Sequence, residues 1–493
     1  MTDSDSGAGD GLRADLGRLV RELIDEAPSR RGPAPLIGPQ LRVHLGLAEG
    51  EEPEFPIFAE EMETWELPNL QLALDAAMAK AGWGRRVLTP SRDARHYGEF
   101  GLGTLITEGS GLSPHFGVGP AMYVNVPVGP GRTLACLDLA FILFTSPSGP
   151  IAAFVNRSDE HHSGPPLSVQ ATSPEPQLAQ AFLRDLRDLM NANDVYRGQV
   201  IAVESTRHGG YRIVFLERPV MDRSELILPD GVLERIESHV LGPTRHREAL
   251  LAAQRHLARG LLLWGPPGTG KTHTVRYLTG RLDEATIVLL TGGSLGMVGG
   301  FATMAKRLAP SLIVLEDVDL VAQERGFGPY GSSNPVLFEL MDQMSGLGDD
   351  ADVAFVLTTN RPDTLEPALA ARPGRVDMAV EIPLPDAAAR RRLLELYTAG
   401  LNTAELDLDR VVERTDGVTA SFFRELLRRA ALLAAEHDGA RVTDADVEAA
   451  LDELLSGTSA LTRSLLGVRP ADLGEGGQPP SSRRWLQAFP DEL

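Results

Sequence analysis

Short apolar runs, each closing on a polar or glycine-rich cluster, punctuate the second half of the chain: Leu-Leu-Leu-Trp at 261–264, Leu-Ile-Val-Leu at 312–315 and Val-Ala-Phe-Val-Leu at 353–357. Continuous runs of this length between turn residues mark strands covered on both faces, as in a parallel sheet. A helix-like stretch, 273–281, follows the first run. Further on, residues 390–401 read as a helix. Phe422, Leu426, Leu427, Ala430 and Ala431 recur at three- and four-residue spacing, a helix face turned to a core. Toward the N-terminus the pattern changes. Leu12, Leu16, Leu19, Val20 and Leu23 form the stripe of an amphipathic helix, followed by a Pro/Gly-rich break at 28–39. Helices are expected at 70–80 and 177–190, and strands at 122–128, 134–145 and 151–155 between Pro/Gly turns. Residues 200–204 and 211–216 read as a hairpin around Arg207-His208-Gly209-Gly210. The pattern predicts an α+β domain over 1–231, then an α/β region with a parallel sheet, a helical region, and a tail over 457–493. The tail combines a Gly/Pro/Ser-rich stretch, 474–482, with Trp485, Leu486 and Phe489. It reads as a linker with a short docking peptide, or as a disordered end.

Composition narrows the class. A length of 493 residues suits about three domains. The single cysteine, Cys136, excludes an intramolecular disulfide and a Cys-cluster zinc site. A net charge of −21 disfavours binding to a nucleic-acid backbone, which draws on clustered Lys and Arg. The first residues lack the basic and apolar regions of a signal peptide, and the apolar run 133–144 contains Asp138 and is too short to span a bilayer. A cytoplasmic location without a membrane span is therefore expected. Asp159-Glu160-His161-His162 reads as a solvated loop rather than a metal site. Of 47 Lys and Arg residues only Lys80, Lys271 and Lys306 are lysines. One of the three stands in the motif that carries most of the chemistry.

That motif is Gly265-Pro266-Pro267-Gly268-Thr269-Gly270-Lys271-Thr272, which fits G-x-x-x-x-G-K-[ST] without a mismatch, between a strand and a helix. Its glycines let backbone N–H groups close around phosphate oxygens, and the helix N-terminus adds partial positive charge. Lys271 is placed to reach the β/γ-phosphates and the Thr272 hydroxyl to ligate Mg²⁺, so ATP and Mg²⁺ are the expected cofactors. The second apolar run ends in Glu316-Asp317-Val318-Asp319. Carboxylates delivered beside a phosphate loop manage the metal and the attacking water. The third ends in Thr358-Thr359-Asn360, an amide suited to holding that water or sensing the γ-phosphate, and Arg372-Pro373-Gly374-Arg375 follows.

In this order and spacing, residues 232–456 resemble one AAA-family ATPase module of the kind found in NSF-like protein unfoldases. The resemblance implies a large ATPase subdomain over 232–386 and a helical lid over 387–456, that 265–272 is Walker A, 312–319 Walker B and Asn360 sensor 1, and that Arg372 and Arg375 reach across a subunit boundary to a neighbour's ATP. It implies a homo-oligomeric ring, a hexamer, that hydrolyses ATP to remodel, unfold or translocate a protein client. The rival reading is a nucleotide-gated assembly or scaffold protein in which ATP binding orders the oligomer. In the lid, Tyr397 stands where the family often places a histidine near the ribose. The segment 417–420 resembles the sensor-2 stretch, with Ala420 opening a helix beside adenine. Gly242 stands where the module's first segment touches adenine through its backbone. Two features depart from the family. Its Walker B ends Asp-Glu; here the order is Glu316-Asp317, similar to that of the mitochondrial AAA translocase of the Rieske iron–sulfur protein. In this register Glu316 supports Mg²⁺ and Asp317, one methylene shorter than usual, positions the water. In the pore loop, Met297-Val298 stand where an aliphatic–aromatic pair belongs, and Phe301 is displaced. The N-terminal domain resembles no named family, and family members usually choose clients with such an appendage.

Overall fold

The structure, a computed structural model, describes residues 35–80, 82–91, 101–107, 116–157, 166–206, 210–319, 350–363, 376–403, 405–437 and 441–456. The chain divides into two compact units, Met1–Val126 with Leu134–Asn193, and Pro127–Thr133 with Asp194–Leu493. The apolar stripe at 12–23, the run 159–162 and the tail 457–493 lie outside the described residues.

The first unit is built on a six-stranded antiparallel sheet in the order β1-β8-β7-β6-β2-β3. Its elements are α1 (Ile37–Leu45), β1 (Ile57–Met62), α2 (Leu67–Met78), β2 (Gly84–Pro90), α3 (Leu102–Ile106), β3 (Val118–Gly119), β4 (Tyr123–Gly129), β5 (Arg132–Leu137), β6 (Leu139–Ser146), β7 (Gly149–Arg157), β8 (Leu167–Thr172) and α4 (Pro176–Ala192). β4 and β5 pair separately, and their inner residues, Pro127–Thr133, are grouped with the second unit. Successive side chains of a strand point to opposite faces, and here both faces are covered. Ala140, Ile142 and Phe144 of β6 join a core with α2 and α4. Leu139, Phe141 and Leu143 join a second core with α1 and α3. α4 contributes Ala179, Phe182, Leu183, Leu186 and Met190, one stripe at helical spacing. The run expected as one strand over 134–145 is two, divided at Asp138, whose carboxylate accepts from Arg157 Nε at 2.7 Å.

The second unit holds a seven-stranded sheet in the order β10-β9-β12-β13-β14-β11-β15. The strands are β9 (Val200–Ser205), β10 (Tyr211–Leu216), β11 (Arg259–Trp264), β12 (Thr286–Thr291), β13 (Ser311–Glu316), β14 (Val353–Thr359) and β15 (Met378–Glu381). All pairings are parallel except that of the edge strand β10 with β9. Helices α5 (Val232–Arg245), α6 (Arg247–Ala252), α7 (Lys271–Arg281) and α8 (Val298–Arg307) accompany the sheet. Ile236 and Val240 of α5 and Val275 and Leu278 of α7 share a core with β11, β12, β13 and β14. α9 (Ala387–Thr398), α10 (Leu408–Arg414), α11 (Ala420–Glu436) and α12 (Asp444–Ser456) form the lid around Phe422, Phe423 and Leu426.

Here the expected domain boundary is corrected. The hairpin at 200–216 belongs to the nucleotide-module sheet, where β9 pairs with β12, and the division of the chain falls after Asn193 rather than at 231. Arg218, just after β10, fastens this extension. Its guanidinium donates to the carbonyls of Gly198, Thr279, Leu282 and Ala285 at 2.7–3.0 Å, and burial lowers its pKa.

Candidate functional site

The parallel strands β11, β13 and β14 are neighbours and end at the same edge of the sheet, so the motifs that follow them meet there. After β11 the chain turns through Gly265, Gly268 and Gly270 at φ of 147°, 77° and 114°, a region that L side chains rarely adopt. Gly265 is also sterically required by a backbone neighbour, and Gly268 packs against a side chain. A Cβ on Gly265 would lie 2.2 Å from the Ile382 carbonyl oxygen, and one on Gly268 2.3 Å from Ser421 Oγ. Pro266, Pro267 and Thr269 complete the loop, and Thr269 Oγ1 donates to the Pro266 carbonyl at 2.9 Å. Lys271, buried at the start of α7, donates to the carbonyls of Gly265 and Pro266 at 2.8 and 2.9 Å. Burial lowers its pKa to about 8, against the opposing pull of Asp317 and Asp319.

β13 delivers Glu316 close to the Thr272 hydroxyl, whose proximity partly offsets the effect of burial on the carboxyl. Burial raises the Glu316 pKa, and its Oε1 is buried without a hydrogen-bond partner among the described residues. Asp317 follows with φ +52°. Its N–H donates to Thr358 Oγ1 at 3.0 Å, and Asn360 Nδ2 donates to its Oδ1 at 3.3 Å. The five residues Lys271, Thr272, Glu316, Asp317 and Asn360 thus converge.

The lid closes the other side. Ser421 N donates to the Gly268 carbonyl at 3.1 Å, which sets the first turn of α11 directly on the phosphate loop. The cleft between them has a volume of about 360 Å³. Pro267–His273, Asp317, Asn360, Tyr397 and Ala420 line it. Tyr397 is half-buried, and burial raises its phenol pKa.

Gly242 is not part of this site. It lies inside α5, because the helix continues to Arg245 through Gly242-Pro243, and its carbonyl accepts from His246 N at 3.0 Å. The segment of the module's start that lines the cleft is Glu225, Leu226 and Ile227. The apolar run Leu226-Ile227-Leu228 before Pro229-Asp230-Gly231 is the sequence signal for it. Arg424, one turn into α11, also lines the cleft and was not singled out by motif. Arg372 and Arg375 lie outside the described residues. The pore-loop expectation changes as well. Gly292–Met297 forms a 3₁₀ turn, Val298 begins α8 fully buried, and Phe301 is 2% exposed against Tyr211. Only Met297 of the pair is partly accessible.

A parallel sheet with a glycine-rich strand-to-helix loop, a buried lysine and two carboxylates at the end of a strand two places away defines a P-loop nucleotide-binding protein. Residues 261–384 match the model of the ATPase family associated with various cellular activities (AAA), and this part of the chain is an AAA-family ATPase module. The chain is similar to the ATP-dependent zinc metalloprotease FtsH of Mycobacterium tuberculosis, 33% identical over 237 residues, 46% of this chain and 30% of that protein. FtsH of Thermus thermophilus is 34% identical over 240 residues, 46% of this chain and 37% of that protein. The proteasome-activating nucleotidase of Thermococcus onnurineus is 28% identical over 268 residues, 52% of this chain and 66% of that protein. The chain therefore spans only about a third of the length of these FtsH relatives.

Proposed function

We propose that the module binds ATP with Mg²⁺ and hydrolyses it in a homo-oligomeric ring, a hexamer, and that the chain uses this cycle to remodel, unfold or translocate a protein client. The observation that carries the reading is the convergence of Lys271, Thr272, Glu316, Asp317 and Asn360 at the ends of neighbouring parallel strands. The names of the relatives, an ATP-dependent protease and a proteasome-activating nucleotidase, support it. The backbone N–H groups of 268–272 and the Lys271 ammonium hold the β- and γ-phosphates. Thr272 Oγ and Glu316 are hard oxygen donors side by side, and the unpartnered Glu316 Oε1 fits a divalent cation of the Mg²⁺ type. Such a cation, when bound, neutralises phosphate charge. Asp317 accepts a proton from the attacking water, and Asn360 orients that water while bonded to the same carboxylate. Tyr397, Ala420 and Glu225–Ile227 form the base and ribose end of the cleft. Arg372 and Arg375 act on the neighbouring subunit's ATP. The N-terminal unit recognises the client. Among the described residues no helix is long and apolar enough to cross a membrane; the charge balance and composition favour a cytoplasmic protein that does not bind nucleic acid.

The rival reading, a scaffold ordered by ATP binding, is favoured by one observation: Val298 and Phe301 are buried, leaving Met297 as the partly accessible large side chain of 292–301. Mixing subunits tests the trans-acting arginines and the motor together. Lys271→Ala and Arg375→Ala proteins should each be nearly inactive, since an arginine finger is worth ~10³–10⁵ in rate. Mixed rings, verified by native mass spectrometry, should recover part of the ATPase, because an intact pocket then meets an intact finger. No recovery in verified mixed rings would rule out action across the boundary. ATP-dependent ring assembly that proceeds unchanged with an Asp317→Asn subunit, together with full client handling, would favour the scaffold.

A further inference from the structure

We propose that the Glu316-Asp317 order is imposed by the backbone of this chain, and that Thr358 and Asp319 are positioning residues that hold the Asp317 carboxylate toward the phosphate pocket. The inference rests on the ATPase reading above. Consecutive residues of an extended strand point to opposite faces. Yet Glu316 lies close to Thr272, and both Thr272 and Asp317 line the cleft. The left-handed φ of +52° at Asp317 resolves this conflict by turning the chain immediately after β13, so that Asp317 lines the cleft while Glu316 stays beside Thr272. That backbone region is enriched in Asn and Asp, whose short polar side chains bond locally, and disfavours longer side chains. Asp therefore belongs at 317, and the longer Glu at 316, where the extended strand accepts any side chain and the additional methylene carries the carboxylate to Thr272.

The turn is clamped from the adjacent strand. Thr358, 1% exposed, accepts from Asp317 N at 3.0 Å. Asp319, 3% exposed, accepts from Thr359 Oγ1 at 2.9 Å and from Asn360 N at 3.2 Å through one oxygen, Oδ1. Asn360, so anchored, donates its amide to Asp317 Oδ1. Each group fixes the next, and the base is the last in the series.

The test compares full-length variants for kcat, KM and ATP affinity, with thermal unfolding alongside. The swap Glu316→Asp/Asp317→Glu, which restores the commoner order, should lower kcat by ~10–100-fold, the scale of a misplacement of about 1 Å, while ATP affinity changes less than about 3-fold. Thr358→Val should lower kcat in the same direction, and Thr358→Ser, which keeps the acceptor, should restore most of it. A swapped protein as active as the wild type, or Thr358→Val and Thr358→Ser indistinguishable in kcat, would overturn the proposal. Thermal unfolding reads the backbone without any turnover. Asp317→Gly and Asp317→Asn should hold Tm within about 2 °C of wild type, whereas Asp317→Val should lower it clearly, because a β-branched residue resists positive φ. Equal Tm for Asp317→Val and Asp317→Gly would overturn the proposal even if the wild type proved inactive. Wild-type protein that binds no ATP would instead defeat the ATPase reading.

Discussion

Lys271 is held in a desolvated position, bonded to two carbonyls of its own loop, and its pKa falls to about 8 from an ordinary 10.5. Bound phosphates favour the ammonium form, so ATP should raise this pKa again. Binding is then expected to take up about half a proton at pH 8, more between pH 8 and 10, and almost none at pH 6, where the lysine is already charged. Calorimetry in two buffers of different ionisation heat measures the uptake; a value independent of pH would show that Lys271 is not the group. The same depressed pKa works against stability at low pH. The unfolded chain binds the proton more readily, so this group's contribution to stability rises as pH climbs from about 8 toward 10.5. At this scale the sequence was most legible. The phosphate loop, Glu316, Asp317 and Asn360 lie where short strands end, and local sequence fixes both the loop geometry and the chemistry. Gly242 was placed beside adenine by resemblance alone, and it lies inside α5, whose apolar face carries the helix through Gly242-Pro243.

Between elements, sequence separation decided what could be read. The hairpin over β9 and β10 was visible from its alternation and its Gly-Gly turn. Its partner, β12, lies some eighty residues further on, and nothing local names that pairing. Val298 illustrates the same limit: it is buried at the first position of α8, which its local sequence does not announce. Arg218 ties the extension to the end of α7 through four carbonyls. Arg218→Ala should cost about 2–4 kcal/mol, mostly from carbonyls left without donors. Thermal unfolding monitored with and without ATP checks it, and a cost below about 0.5 kcal/mol would mean that water replaces the guanidinium freely.

For the whole molecule the corrected boundary has a practical outcome. A fragment starting at Asp194 keeps β9, β10 and Arg218, and it keeps Val200, Leu226 and Leu228 in the core. A fragment starting at Val232 loses all of these, exposes the β12 edge and removes Glu225–Ile227 from the cleft. An uncovered edge strand invites association. The longer fragment should be soluble and bind ATP, whereas the shorter should aggregate or bind at least about tenfold more weakly, a loss of ~1.4 kcal/mol. Size-exclusion chromatography and nucleotide titration distinguish the two, and equal behaviour would place the extension outside the folding unit. The N-terminal unit was the least legible part, because antiparallel strands covered on both faces lose the alternation that would announce them.

The parallel pairing of β9 with β12 also has a mechanical meaning. The chain passes from the first unit into the ATPase sheet through β9, whose residues Val200–Val203 pair with Ile287–Leu290. Tension arriving along that strand strains these hydrogen bonds together, in shear, rather than peeling them off one by one. Forced unfolding is governed by the height of the rupture barrier, and simultaneous loading raises it. On the proposed function, a first unit that holds a resisting client would be tugged repeatedly while its anchorage in the ATPase sheet stays whole.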